Sequence, residues 1–154
     1  MMKKSLIAIC AFFAFSFATQ AQSTYRTALG LGIDFGEGAT LVGPSIKHFF
    51  NGPHAGMGEF TFGNHITSFT ALYQYHGDIS NANGLMWFAG IGPSIMFADS
   101  YSEFMLRPNA GLDYRITNTP LTFSFDWRPI ISFEEYSDTF TPGRFGLGIR
   151  FALN

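Results

Sequence analysis

The sequence predicts an all-β chain, an eight-stranded antiparallel up-and-down transmembrane β-barrel. Three observations carry that reading: the composition, eight segments that alternate with period two, and the sorting of charge onto one face of those segments. The chain has 154 residues, 47% hydrophobic and 18% aromatic, with only 13% charged. A soluble domain carries nearer about 25% charged residues. Nineteen Phe and 17 Gly accompany a formal net charge of −2. This composition excludes a disordered chain, a coiled coil and a basic nucleic-acid binder. A single Cys, Cys10, excludes a disulfide scaffold and a Cys-based zinc site.

The first element is a leader. Met1-Met2-Lys3-Lys4 is a basic head, residues 5–18 are apolar, and Thr19-Gln20-Ala21 offers small residues at a cleavage site. These are the three parts of a secretory signal. Residues 1–21 are therefore read as signal peptide and 22–154 as the barrel, with cleavage between Ala21 and Gln22. The apolar run is shorter than the roughly 20 residues a spanning helix needs. Cys10 lies inside that run, behind the bulky Ile9, so it belongs to the signal and not to a lipid anchor.

Eight alternating segments follow, at 25–35, 40–50, 55–62, 66–76, 85–98, 104–116, 121–133 and 144–153. The stretches between them are rich in Gly, Asn, Asp, Ser and Pro, which turn the chain. In the first segment Tyr25, Thr27, Leu29, Leu31, Ile33 and Phe35 share one face, and Arg26, Ala28, Gly30, Gly32 and Asp34 the other. The sixth opposes Phe104, Leu106, Leu112 and Tyr114 to Arg107, Asn109, Asp113 and Arg115. The seventh opposes Leu121, Phe123, Phe125 and Trp127 to Thr122, Ser124, Asp126 and Arg128. The last opposes Phe145, Leu147, Ile149 and Phe151 to Arg144, Gly146, Gly148 and Arg150. The third and fourth are less regular, with Met57, Thr67 and Leu72 on the unexpected faces.

All seven basic residues after the leader fall on the small, polar face: Arg26, Lys47, Arg107, Arg115, Arg128, Arg144 and Arg150. Asp34, Glu59, Asp113 and Asp126 join them, and the remaining acids, Glu103 included, are read in turns. A soluble barrel keeps polar residues outside. Here the glycines accompany the charges, which suits a crowded interior, so charge goes inside and hydrocarbon outside. A two-sheet sandwich is the alternative, but its exposed face would be unusually rich in Gly. Pro44, Pro93, Pro108 and Pro129 lie within strands on the apolar parity, where a closed sheet has no free edge for a missing donor. Pro129 is expected near the outer rim, and Pro93 with Pro108 at a shared bulge.

Several strands resemble those of the small outer-membrane β-barrel proteins of Gram-negative bacteria. They are Leu85-Met86-Trp87-Phe88-Ala89-Gly90-Ile91-Gly92, Gly111-Leu112-Asp113-Tyr114-Arg115-Ile116 with 121–129, and Phe145-Gly146-Leu147-Gly148-Ile149-Arg150-Phe151. The resemblance implies export to the outer membrane, insertion by the barrel assembly machinery, and contact with outer-membrane lipid and lipopolysaccharide. Such barrels commonly end in an aromatic residue, whereas this chain ends Leu153-Asn154. Either Phe151 takes that role or assembly is less efficient.

The chemistry-bearing residues do not form a motif. His48, His54, His65 and His76 make no metal-type pair, and a Gly-x-Ser-x-Gly elbow, a phosphate loop and a Cys nucleophile are missing. No catalytic residue, cofactor or metal is expected. Lipid-A-modifying barrels offer one alternative, with Ser132, Glu134 and His65 as the candidate triad. A narrow pore is another, but eight strands leave an interior only wide enough for side chains. The inward charges Arg26, Glu59, Asp113, Arg115, Asp126, Arg128 and Arg150 are read as a structural lumen network with an excess of basic groups. The expectation is a monomeric, non-enzymatic envelope scaffold or loop-mediated binding protein with both termini in the periplasm. Its longest outer loop, 134–143, carries Glu134, Glu135 and Asp138, which could bind divalent cations that bridge lipopolysaccharide.

Overall fold

A computed structural model of the chain describes residues 25–133 and 140–153. The expected leader, residues 1–21, and the acidic loop residues Glu134, Glu135 and Asp138 lie outside the described residues. The strands are β1 (Thr27–Gly36), β2 (Leu41–Asn51), β3 (His54–Gly63), β4 (Ile66–Asp78), β5 (Leu85–Ala98), β6 (Tyr101–Arg115), β7 (Leu121–Trp127), β8 (Ile130–Ser132), β9 (Phe140–Thr141) and β10 (Arg144–Ala152). Every pairing is antiparallel. β7 and β8 both pair with β6 and form one broken stave, and β9 and β10 form the stave beside it. Pairing of β10 with β1 closes the sheet into an eight-stranded barrel.

The turns follow their residues. Gly36 has φ 123°, and a Cβ on it would lie 2.0 Å from the carbonyl oxygen of Gly143, so only glycine fits between β1 and β10. His65, Asn81 and Asn118 take positive φ at three other turns.

The alternation holds around the barrel, with the polarity the sequence predicts. Inward positions are buried and polar: Asp34, Ser45, Lys47, Glu59, Thr70, Gln74, Arg107, Asp113, Asp126 and Arg150. Outward positions carry the exposed large apolar side chains, among them Leu31, Phe69, Ile91, Phe125, Trp127 and Phe151. Met57 and Leu72 do point inward, buried among the polar residues.

The strand prolines each interrupt a ladder. The β2–β3 register passes from Val42↔Phe62 to Ser45↔Glu59 without pairing Gly43 or Pro44. The β4–β5 register passes from Thr70↔Ser94 to Tyr73↔Ile91 without pairing Gly92 or Pro93. Both gaps carry the same tetrapeptide, Gly-Pro-Ser-Ile, at 43–46 and 92–95. In each, a carbonyl of the neighbouring strand closes on the glycine: a Cβ on Gly43 would lie 1.9 Å from the Phe60 oxygen, and one on Gly92 1.9 Å from that of Ala71. Proline removes the donor and glycine the Cβ, so the strands stay close without a hydrogen bond.

The other two prolines correct the expected shared bulge of Pro93 with Pro108. Flanking pairs Leu106↔Ile131 and Ala110↔Trp127 put Pro108 opposite Pro129. Neither has an N–H, so the ladder breaks there and divides β7 from β8.

Candidate functional site: the polar lumen

The inward side chains meet across the barrel in layers. At the end where the 51–54 turn lies, Lys47 on β2 reaches Asp113 on β6 at 2.9 Å. Tyr25, just before β1, donates its hydroxyl to the same carboxylate at 2.6 Å. His76 on β4 places Nε2 at 3.3 Å from the Lys47 ammonium and 3.7 Å from Asp113. Aromatic rings seal this layer. The Lys47 ammonium sits 4.5 Å from the centroid of the Phe88 ring. Phe49 meets Tyr25 edge-on at 5.2 Å and His76 at 4.6 Å.

The middle layer is built on arginines. Arg128 grips Asp126 through two bonds of 2.8 Å and reaches Glu59 on β3 at 3.0 Å. Arg150 on β10 donates to Ser45 and Ser124, each at 2.9 Å, and lies 3.6 Å from Glu59. Glycines make room for these planar groups. A Cβ on Gly146 would fall 2.1 Å from Arg128 Nη2, one on Gly32 2.6 Å from Glu59 Oε2, and one on Gly148 2.4 Å from Arg150 Nη1. This is the physical content of the pairing between charge and glycine on the inward face.

The third layer joins β6, β1 and β10. Arg107 binds both oxygens of Asp34, and Arg144 donates to Asp34 at 2.7 Å. Arg144 also donates to the carbonyls of Glu37 and Ala39, at 2.9 and 2.6 Å, which ties the β1–β2 turn to the lumen. Beyond it, Ser132 donates to Glu103.

Among the described residues, the buried charges balance. Lys47, Arg107, Arg128, Arg144 and Arg150 face Asp34, Glu59, Glu103, Asp113 and Asp126. Each of those cations lies within 3.6 Å of a carboxylate. A buried charge left alone is costly, so an ion-paired interior needs this neutrality. The expected basic excess is therefore corrected. Arg26 is exposed, because Tyr25 takes the inward place at the start of the strand. Arg115 is half-buried at the mouth, where Nε reaches the Thr119 carbonyl at 3.5 Å. Glu103 lies inside β6 rather than in a turn.

Of the expected network, Glu59, Asp126, Arg128 and Arg150 come together. Asp113 stands in a separate layer with Lys47, Tyr25 and His76. Asp34, Lys47, Arg107 and Arg144 were on the polar face but outside the named network, and the parity that placed them was the signal. Tyr25 had no such signal, since its parity points the other way. The suggested triad is not assembled from the residues seen. Ser132 bonds to Glu103, His65 is exposed in the β3–β4 turn, and Glu134 lies outside the described residues. The other histidines are dispersed, with His48 bonded to Thr27 and His54 to Tyr73. No family model matches the chain, and no curated protein matches it in sequence.

Proposed function

We propose that this protein is a small integral barrel of the bacterial outer membrane, related in kind to the small outer-membrane β-barrel proteins of Gram-negative bacteria. In this reading its lumen is closed by ion pairs, and it serves as a non-enzymatic envelope scaffold or binds through its outer loops. One observation carries the reading: the polarity of the barrel is inverted. Among the described residues, five cations and five carboxylates are buried inside, while Leu31, Phe69, Phe125 and Phe151 are each at least half exposed on the outside. Water would leave that apolar surface unpaid by any partner, whereas hydrocarbon accepts it.

Aromatic groups at both ends of the outer face support the same reading. Phe50, His54, Tyr73, Tyr75 and Trp87 form a chain of ring contacts at one end. Phe35 and Phe145 make another contact toward the opposite end, and Phe104 stacks on Phe133. Aromatic girdles of this kind mark the two membrane interfaces of barrels. Contacts from β2 to β6, β3 to β10 and β1 to β6 across the lumen favour a plugged barrel over a pore. The implied partners are outer-membrane lipid, lipopolysaccharide and the barrel assembly machinery, with the chain as a monomer. Flotation tests this. Protein refolded with phospholipid vesicles should rise with them in a density gradient and resist alkaline extraction. Protein that remains at the bottom, folded and free of vesicles, contradicts the proposal.

A further inference from the structure

The outer face is not uniformly bulky. A groove of about 530 Å³ crosses β1 to β4, walled by Leu29, Ile46, Phe60 and Phe69, with Pro44 and Gly58 at its floor. The register explains its depth. Leu29, Ile46 and Gly58 lie side by side on three neighbouring strands, and on the next outward level Thr27, His48 and Gly56 do the same. Two outward glycines in succession on β3 leave a trough where the rest of the face carries large side chains. The nearest atom to a Cβ on Gly58 would be Ile46 Cγ2 at 3.4 Å, and on Gly56 the Phe50 ring at 3.7 Å. These are ordinary contacts, so glycine is not demanded here by the barrel's own packing.

The trough has one polar end. There His48 Nδ1 and Thr27 Oγ1 are 2.7 Å apart, and the exposed Arg26 is tied to the same place by its carbonyl, which accepts from Phe49 N at 2.7 Å. His54 stacks with Phe50 beside it. Arg26 directly precedes Thr27 in the chain and is exposed, so its long side chain can reach that imidazole and hydroxyl, and a cation beside an apolar trough matches a molecule with an anionic head and a hydrocarbon tail. We infer that this face holds one phospholipid, its phosphate at Arg26, Thr27 and His48 and one acyl chain over Gly56 and Gly58. The inference rests on the outer-membrane reading, in which this end lies at the headgroups of the inner leaflet and the trough lies in the hydrocarbon. Charge complementarity selects the lipid over a second copy of the chain, which would bring another Arg26 and His48 to the same surface or leave them unmatched.

Native mass spectrometry of the detergent-solubilised, folded protein tests this, with dimyristoyl phosphatidylglycerol as probe and inorganic phosphate as the comparison. The unaltered protein should retain one lipid. Gly58→Phe fills the trough and should weaken retention by about tenfold or more, and Arg26→Ala by several-fold. Leu112→Phe, outward on β6 away from the trough, should retain the lipid as the unaltered protein does. Ile46→Trp narrows the trough from the facing strand and gives the same reading where Gly58→Phe does not assemble. Retention indifferent to both trough variants overturns the inference, as does phosphate binding as strongly as the lipid. Dimers abolished by Gly58→Phe would overturn it in favour of a contact between copies. Protein that floats with vesicles but retains no lipid contradicts this site alone, whereas protein that does not float contradicts the membrane reading and the site with it.

Discussion

The guanidinium of Arg107 donates to the main-chain carbonyl of Arg128 at 2.9 Å, beside the point where Pro108 and Pro129 face each other with no N–H between them. A closed barrel has no edge at which to leave a carbonyl to solvent, so a side chain takes over from the backbone. The same guanidinium holds Asp34 on β1. Arg107 thus repairs a gap in the sheet and anchors a layer of the lumen at once.

Arg107→Ala should therefore cost more than a broken surface pair. It strips Asp34 of one of two cations and leaves the Arg128 carbonyl without its donor, at about 3–5 kcal/mol. Pro129→Ala should change stability by less than about 1 kcal/mol, since Pro108 still supplies no donor opposite it. Denaturant titration of the refolded protein in vesicles measures both.

Asp126→Ala should destabilise by about 3–5 kcal/mol, because Arg128 keeps only Glu59 in a buried site. Arg26→Ala, at an exposed side chain, should fall within about 0.5 kcal/mol of the unaltered protein. Equal losses in the two titrations would mean that the lumen pairs do not carry the stability assigned to them.

Gly146→Ala places a methyl 2.1 Å from Arg128 Nη2 and should displace the guanidinium from its carboxylates. A loss of about 1–3 kcal/mol is expected, as for other overpacked sites. Gly58→Ala, whose methyl meets only Ile46 at 3.4 Å, should be tolerated. The pair separates glycines that admit arginine from glycines that shape the outer face, and unfolding midpoints read the difference.

Phe125→Arg distinguishes lipid from water outside the barrel. Phe125 is 50% exposed between Leu112 and Leu147 on the adjacent strands. In a bilayer the substitution should cost about 2–4 kcal/mol near the midplane, seen as a lower folding yield in vesicles. On a water-facing surface the same change would be neutral or favourable to solubility.

Much of this arrangement was legible in the sequence, because a period-two pattern needs no knowledge of neighbours. Thr122, Ser124, Asp126 and Arg128 declare their face by spacing alone, and closure follows from eight such segments. What escaped depends on register between strands. That Lys47 meets Asp113, or that Pro108 meets Pro129, is set by how strands far apart in sequence are staggered. Ends of strands escaped too: Tyr25 and Arg26 exchange faces where the ladder begins, and Glu103 sits inside a strand that opens among turn-forming residues. Those three residues and the half-buried Arg115 convert an apparent basic excess into a balanced interior. The repeated Gly-Pro-Ser-Ile was visible in the sequence, but its meaning needed the two ladder gaps.

The central claim is that this chain is a closed barrel embedded in the outer membrane. Electrophoresis of outer-membrane fractions, with and without boiling, tests it most directly, because a barrel whose strand hydrogen bonds are internal stays folded in detergent until heated. The account predicts that the protein is found in that fraction and migrates at two positions, a compact band before boiling and a slower one after it at the mass of the chain without residues 1–21, below the 17.1 kDa of the full sequence. A protein recovered in the soluble fraction, with one band unchanged by boiling, would contradict it.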